Sequence, residues 1–240
     1  MGKPLVLVTG GSRGIGRAII ERLVKDGYEV LNFSRTPPAN MLPGETFDSV
    51  DLMNPQATQQ AIDHWLTKRE ILHLVNNAGM IHVANLEDVT LEQVQEMVNL
   101  NLKAPMLLTK ALIPGFKRAG YGRVVNIGSR AGLGKVGRTV YSATKAGLVG
   151  MTRTWSLELA AYGVTVNLIA PGAIGTELFN ASNPDDSPQT IALKASIPLG
   201  RIGKPEEIAH IAAMLMDPLA GYTTGQVIYV CGGLSVGQVG

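Results

Sequence analysis

Leu5-Val6-Leu7-Val8-Thr9-Gly10-Gly11-Ser12-Arg13-Gly14-Ile15-Gly16 decides the fold: an apolar run passes through spaced glycines into Ile15–Lys25, where apolar residues recur at helical spacing. A buried strand that turns at once into a helix leaves the first helical N–H groups without partners. It also points the positive helix end at the turn, an arrangement that suits a pyrophosphate. Gly10 permits the tight turn, Gly14 the close approach of a phosphate, and Gly16 the packing of helix on strand. The spacing G-x-x-x-G-x-G is a variant of the dinucleotide fingerprint, read from its strand-to-helix context.

The same alternation continues outward. Val30–Phe33, Ile71–Val75, Val124–Ile127, Val164–Ile169 and Val227–Val230 read, with Leu5–Thr9, as buried strands. Pro55–Lys68, Leu91–Lys117, Tyr141–Ala161 and Pro205–Met216 read as the helices between them. Thr90 with Gln93 forms a capping box, and Pro205-Glu206-Glu207 suits a first helical turn. The pattern predicts an α/β chain, a single-domain Rossmann fold over residues 1–240. Its doubly wound, mostly parallel sheet has about seven strands with helices on both faces. A ligand then sits at the carboxyl ends of the strands, where the winding reverses. The turn-rich stretch Thr176–Pro198 is expected to form a substrate lid.

Composition narrows the partners. The 240 residues are 45% hydrophobic and 17% charged, enough to bury one large core, and a formal charge of +2 with dispersed Lys and Arg points away from nucleic acid. Cys231 is alone, and His64, His73, His82 and His210 have no zinc-ligand spacing, so a reducing compartment and metal-free chemistry are expected. No apolar run approaches a membrane span, and Leu5–Val8 runs into glycines without a cleavage pattern, so the expected location is cytoplasmic with no membrane partner.

The choice of cofactor rests on the end of the second strand. NAD is selected by a carboxylate about 20 residues past the glycines. Here that place reads Asn32-Phe33-Ser34-Arg35; Asp26 and Glu29 precede the strand instead of ending it. Ser34 removes a repelling charge, and Arg35, helped by Arg13, can pair with a 2′-phosphate, so NADP(H) is expected. Tyr141 and Lys145 lie four apart at the start of a helical pattern and share one face. A phenol titrates near about 10 in water, and Lys145 is placed to bring Tyr141 closer to neutral. Ser129 follows the strand Val124–Ile127 and can donate a hydrogen bond to a substrate oxygen.

Taken together, Thr9–Gly16, Asp51-Leu52, Asn76-Asn77-Ala78-Gly79, Asn101, Ser129, Tyr141 with Lys145, and Pro171-Gly172-Ala173-Ile174-Gly175-Thr176 resemble the short-chain dehydrogenase/reductase family along nearly the whole chain. The resemblance implies an oxidoreductase that passes a hydride between nicotinamide and a carbonyl or alcohol carbon of a small molecule. Tyr141 would be the acid/base, Ser129 would orient the reacting oxygen, Lys145 would hold the nicotinamide ribose, and Asn101 would complete a proton relay to water. The implied cofactor-binding set is Thr9, Gly10, Ser12, Arg13, Gly14, Ile15 and Gly16 in the loop, then Ser34, Arg35, Asp51, Leu52, Asn77, Ala78 and Gly79. Tyr141, Lys145, Pro171, Gly172, Ile174 and Thr176 complete it, and no metal is implied.

Gly200-Arg201-Ile202-Gly203-Lys204-Pro205-Glu206-Glu207-Ile208 and Thr224-Gly225-Gln226-Val227 to Gly232-Gly233 resemble 3-oxoacyl-[acyl-carrier-protein] reductases. That implies a 3-oxoacyl thioester of acyl carrier protein or CoA; a free ketone, steroid, sugar or polyol is the alternative, and a non-enzymatic NADP(H) sensor the rival class. One departure is Ala161-Tyr162-Gly163, where carrier-protein reductases tend to present a basic residue. Arg130, Lys135 and Arg138, near Ser129, suit a phosphate or acidic partner and equally a solvated loop. A homotetramer is also implied, through Leu102–Ile113 and Leu148–Leu159 at one interface and Ile208–Met216 with Val227–Val230 at the other, with Leu148, Met151 and Trp155 among the apolar residues a monomer would expose.

Overall fold

The computed structural model describes residues 4–236. Its seven strands form one parallel sheet in the order β3-β2-β1-β4-β5-β6-β7. They are β1 (Leu5–Thr9), β2 (Glu29–Ser34), β3 (Glu45–Ser49), β4 (His73–Asn76), β5 (Gly122–Ile127), β6 (Val164–Pro171) and β7 (Val227–Val230). The main crossing helices are α1 (Gly14–Lys25), α2 (Pro55–Leu66), α3 (Leu91–Val98), α4 (Ala104–Ala119), α5 (Thr139–Leu159) and, after the short α6 (Glu177–Ser182) and α7 (Pro188–Ser196), α8 (Pro205–Met216).

Period-two alternation explains the layering. Val6 and Val8 pack with Ile19, Ile20 and Leu23 of α1 and Ile208, Ala212 and Leu215 of α8. Leu5 and Leu7 point the other way, into a core with Ile62 of α2 and Leu108, Leu112 and Phe116 of α4. Both faces are covered, so β1 is apolar from Leu5 to Val8 and each of its residues, Thr9 included, is buried. Consecutive strands run from β1 out to β3, then return to β4 on its other side. The carboxyl ends of β1 and β4 therefore part and leave a crevice.

Four sequence expectations change in detail. β3 goes unread in the sequence because Glu45-Thr46-Phe47-Asp48-Ser49 has one large apolar residue; it pairs through its backbone at the sheet edge. The helix expected over Leu91–Lys117 is broken by a π-helical turn, Asn99–Lys103, which separates α3 from α4. The turn-rich stretch Thr176–Pro198 holds two short helices, α6 and α7. Leu148, expected on an exposed face, is 1% exposed and packs on Leu168 and Ala170 of β6, because α5 turns that side toward the sheet.

Candidate active site

The glycine loop frames a cavity of about 550 Å³ in the β1–β4 crevice. Gly10 (φ 67°) and Gly14 (φ 57°) hold left-handed backbone that a side chain would strain. A Cβ at Gly16 would collide with the Gly10 carbonyl oxygen, and one at Gly14 would meet Thr176 Cγ2 at 3.2 Å. Asn77 ties the loop to β4: its Nδ2 donates to the carbonyl oxygens of Thr9 at 2.9 Å and Gly10 at 3.0 Å. Thr9 Oγ1 accepts from the backbone N–H groups of Asn77 and Ala78, both at 3.0 Å. The turn is thus held open from both sides.

Gly10, Ser12, Arg13, Gly14, Ile15, Gly16, Ser34, Arg35, Asp51, Leu52, Asn77, Ala78, Gly79 and Thr176 all line the cavity. Ser34 is buried and its hydroxyl donates to Asn32 Oδ1 at 2.7 Å. Arg35 and Arg13 are exposed, and among the described residues neither meets a carboxylate. Asp51 Oδ1 accepts from Met53 N at 3.1 Å and so also fixes its own turn. Six expected residues lie outside its lining: Thr9 braces the loop from behind, Tyr141 and Lys145 stand on α5, and three more sit around the end of β6. Pro171 ends β6, Gly172 presses against Cys231, where a Cβ would lie 2.8 Å from its Cα, and Ile174 is buried in the core beneath α1 and α8.

At the far end the fold brings together the other set. Ser129 caps a short 3-10 turn, Arg130–Leu133, its Oγ accepting from Ala131 N at 3.1 Å. Tyr141 and Lys145 lie on the first turns of α5. Asn101 is 1% exposed in the π turn; its Oδ1 accepts from Met80 N at 2.9 Å, and its Nδ2 donates to Met80 O and Thr144 Oγ1, both at 3.0 Å. Gly79 joins this set to the cavity, since a Cβ there would lie 3.3 Å from Asn101 Oδ1 and 3.4 Å from Lys145 Nζ. A side chain at Gly79 would press against both groups.

Lys145 is buried at the start of α5. Its Nζ donates to the Ile127 carbonyl of β5 at 2.8 Å and lies 5.8 Å from the Tyr141 ring centre. Burial lowers its pKa to about 8. Burial also raises the Tyr141 phenol above its ordinary value, while a hydrogen bond with Ser129 and the charge of Arg138 pull the other way. Arg138 thus adds a cation beside the phenol, while Lys145 lies over its ring.

Sequence reasoning missed two supports. Asn32, fully buried in β2, accepts from Gly11 N at 3.1 Å and donates to Glu45 Oε1 at 3.0 Å, and that carboxylate is held by Arg17 at 2.8 Å. The signal was one amide inside the run Val30-Leu31-Asn32-Phe33. Arg138, read as suiting a phosphate or acidic partner or a solvated loop, also acts on the Tyr141 phenol. Among the described residues no helix is long and apolar enough to cross a membrane, and no group of His, Cys, Asp or Glu is arranged to hold a metal ion.

A doubly wound sheet with this crevice, this loop and this tyrosine–lysine pair defines a class, and the chain belongs to it: the short chain dehydrogenase family, whose profile matches residues 4–187. It is an NAD(P)-dependent oxidoreductase of carbonyl and hydroxyl groups. The chain is 36% identical to the 3-oxoacyl-[acyl-carrier-protein] reductase of Vibrio harveyi over 96% of both chains. It is 39% identical to the acetoacetyl-CoA reductase of Rhizobium meliloti, over 95% of this chain and 97% of that one. Among solved structures it is similar to a blue fluorescent protein from a metagenomic library in complex with NADPH, with TM-score 0.85, 31% identity and 98% of both chains covered.

Proposed function

We propose that the protein is an NADP(H)-dependent reductase or dehydrogenase in which Tyr141 exchanges the proton. The observation that carries this reading is the meeting of Tyr141, Ser129, Lys145 and Asn101 beside Gly79, at one end of the glycine-loop cavity. The cavity fits a dinucleotide: side chains are absent where phosphates would lie, α1 points its free N–H groups at the loop, and Arg13 and Arg35 stand unpaired beside Ser34 for a 2′-phosphate. When bound, the nicotinamide supplies the hydride in reduction and accepts it in oxidation.

In the reducing direction Tyr141 Oη gives its proton to the substrate oxygen as that oxygen gains charge, and Ser129 donates a hydrogen bond to the same oxygen. The raised phenol pKa keeps Tyr141 protonated around neutral pH, the state reduction requires. Lys145 orients a ribose hydroxyl, and Asn101, anchored on Met80 and Thr144, gives Tyr141 a route to solvent protons. Thr176 and the segment over residues 176–198 close over the substrate as a lid.

For the substrate, the two curated relatives favour a 3-oxoacyl thioester, of an acyl carrier protein or of CoA, over a free ketone, steroid, sugar or polyol. The test is nicotinamide absorbance with purified protein, NADPH or NADH, and a panel of thioesters, ketones and polyols. Turnover of a carbonyl with NADPH preferred is the expected result; binding of NADPH with no turnover of any of them would favour the sensor reading instead.

A further inference from the structure

The loop that joins Ser129 to Tyr141 carries Arg130, Lys135 and Arg138 and no acid. Elsewhere Arg17, Arg22, Arg69, Arg118 and Arg201 each meet a carboxylate within salt-bridge distance. Among the described residues these three cations meet none. They also feel one another: partial burial first, then the charges of Arg138 and Arg130, lower the Lys135 pKa. Like charges gathered without a counterion cost free energy that an arriving anion would recover.

The loop is held in place. Arg138 is the N-cap of α5, its carbonyl accepting from Ser142 N at 2.7 Å, and it forms a parallel bridge with Ala84 on the segment after β4. Gly137 O accepts from Ala84 N at 3.1 Å. Arg138 thus starts one helical turn before Tyr141, close enough for its charge to act on the phenol. The three cations flank Ser129 and Tyr141 along the chain, and the Arg138 charge reaches the phenol.

We infer that the substrate carries its own anion, a carboxylate or phosphate joined to the reacting carbonyl by a short chain, and that Arg138 receives it with Lys135 and Arg130 behind. The short spacer follows from the loop, which begins at the residue after Ser129 and ends three residues before Tyr141. Arg138 and Lys135 are specificity-determining residues in this assignment, which rests on the proposed reductase function and deepens it.

The experiment compares matched substrates with NADPH: acetoacetate and levulinate against their methyl esters, and 2-oxopropylphosphonate against its neutral dimethyl ester. The expected kcat/KM ratio of anionic to neutral partner is at least about tenfold, as for a charge-assisted contact, and it falls at high salt. Arg138→Gln and Lys135→Ala each bring the ratio toward one, and Arg138→Lys restores part of it. A preference among the free carboxylic acids assigns the anion to a carboxylate; one seen only in the phosphonate pair assigns it to phosphate. Ratios near one in both arms, or a preference that survives both substitutions, would overturn the inference while leaving the reductase intact. No turnover of any carbonyl would overturn the reductase reading and the substrate assignment with it.

Discussion

Replacing Arg35 by Ala tests how the cavity selects its cofactor. The guanidinium is exposed at the end of β2, and a hydrogen bond to a charged partner contributes about 1.5–3 kcal/mol when sheltered. Solvent puts Arg35 near the low end of that range or below it, and Arg13 remains across the cleft, so the expected loss is about 1–2 kcal/mol. That corresponds to roughly five- to thirtyfold weaker NADPH binding. NADH, which lacks the 2′-phosphate, should change by less than about twofold. Ser34→Asp should act more strongly, because a buried carboxylate would repel the phosphate and also replace the hydroxyl that donates to Asn32 Oδ1. Fluorescence titration of both nucleotides at low and high salt reads the difference. Equal losses for NADPH and NADH in Arg35→Ala would refute the assignment of the phosphate to this end.

Reduction needs the protonated phenol, so kcat for reduction should be flat through neutral pH and fall only as pH rises through the raised Tyr141 pKa; oxidation should run the opposite way. A reduction rate that already falls between pH values of about 6 and 8 would contradict this. His73 is buried against Tyr28 and Tyr121, and burial followed by the Arg123 charge lowers its pKa from 6.5 to about 4. Its folded state disfavours the proton, so its stabilisation is complete above about 6.5 and lost as pH falls through 4, by as much as about 3 kcal/mol. Urea melts at pH values near 7 and 4.5 should show His73→Phe with a smaller acid loss than wild type; identical losses would remove His73 from the account. For assembly, Gly150 on α5 has open space around it and Leu157 is 81% exposed, a face that suits close packing of two copies. Light scattering should report a homotetramer that Gly150→Trp breaks down; a fully active monomer would refute it.

The parts legible in the sequence are those that local geometry forces. The loop needs glycine where φ is positive or a Cβ collides, and β1 needs apolar residues on both faces because helices cover both. The edge strand β3 was not legible, since its pairing runs through backbone atoms and Phe47 is its only large apolar residue. The π turn has no sequence signature beyond a polar Asn101 inside a helical pattern. Spacing put Lys145 on the Tyr141 face but not its ammonium on Ile127, because the direction of a long side chain depends on what β5 offers. Pro171, Gly172 and Ile174 were named for a shared motif, and their neighbourhood is set by β7 and α8, which sequence distance hides.

The central claim is that Tyr141 transfers the proton, and Tyr141→Phe isolates it by removing one oxygen from a ring packed at the start of α5. The measurement is turnover of a reducible carbonyl by this variant, with NADPH binding followed in the same sample. The account predicts NADPH affinity within about twofold of wild type and kcat lower by about a hundred- to ten-thousandfold, the range of general acid catalysis. Turnover near wild type, with NADPH bound, would contradict it.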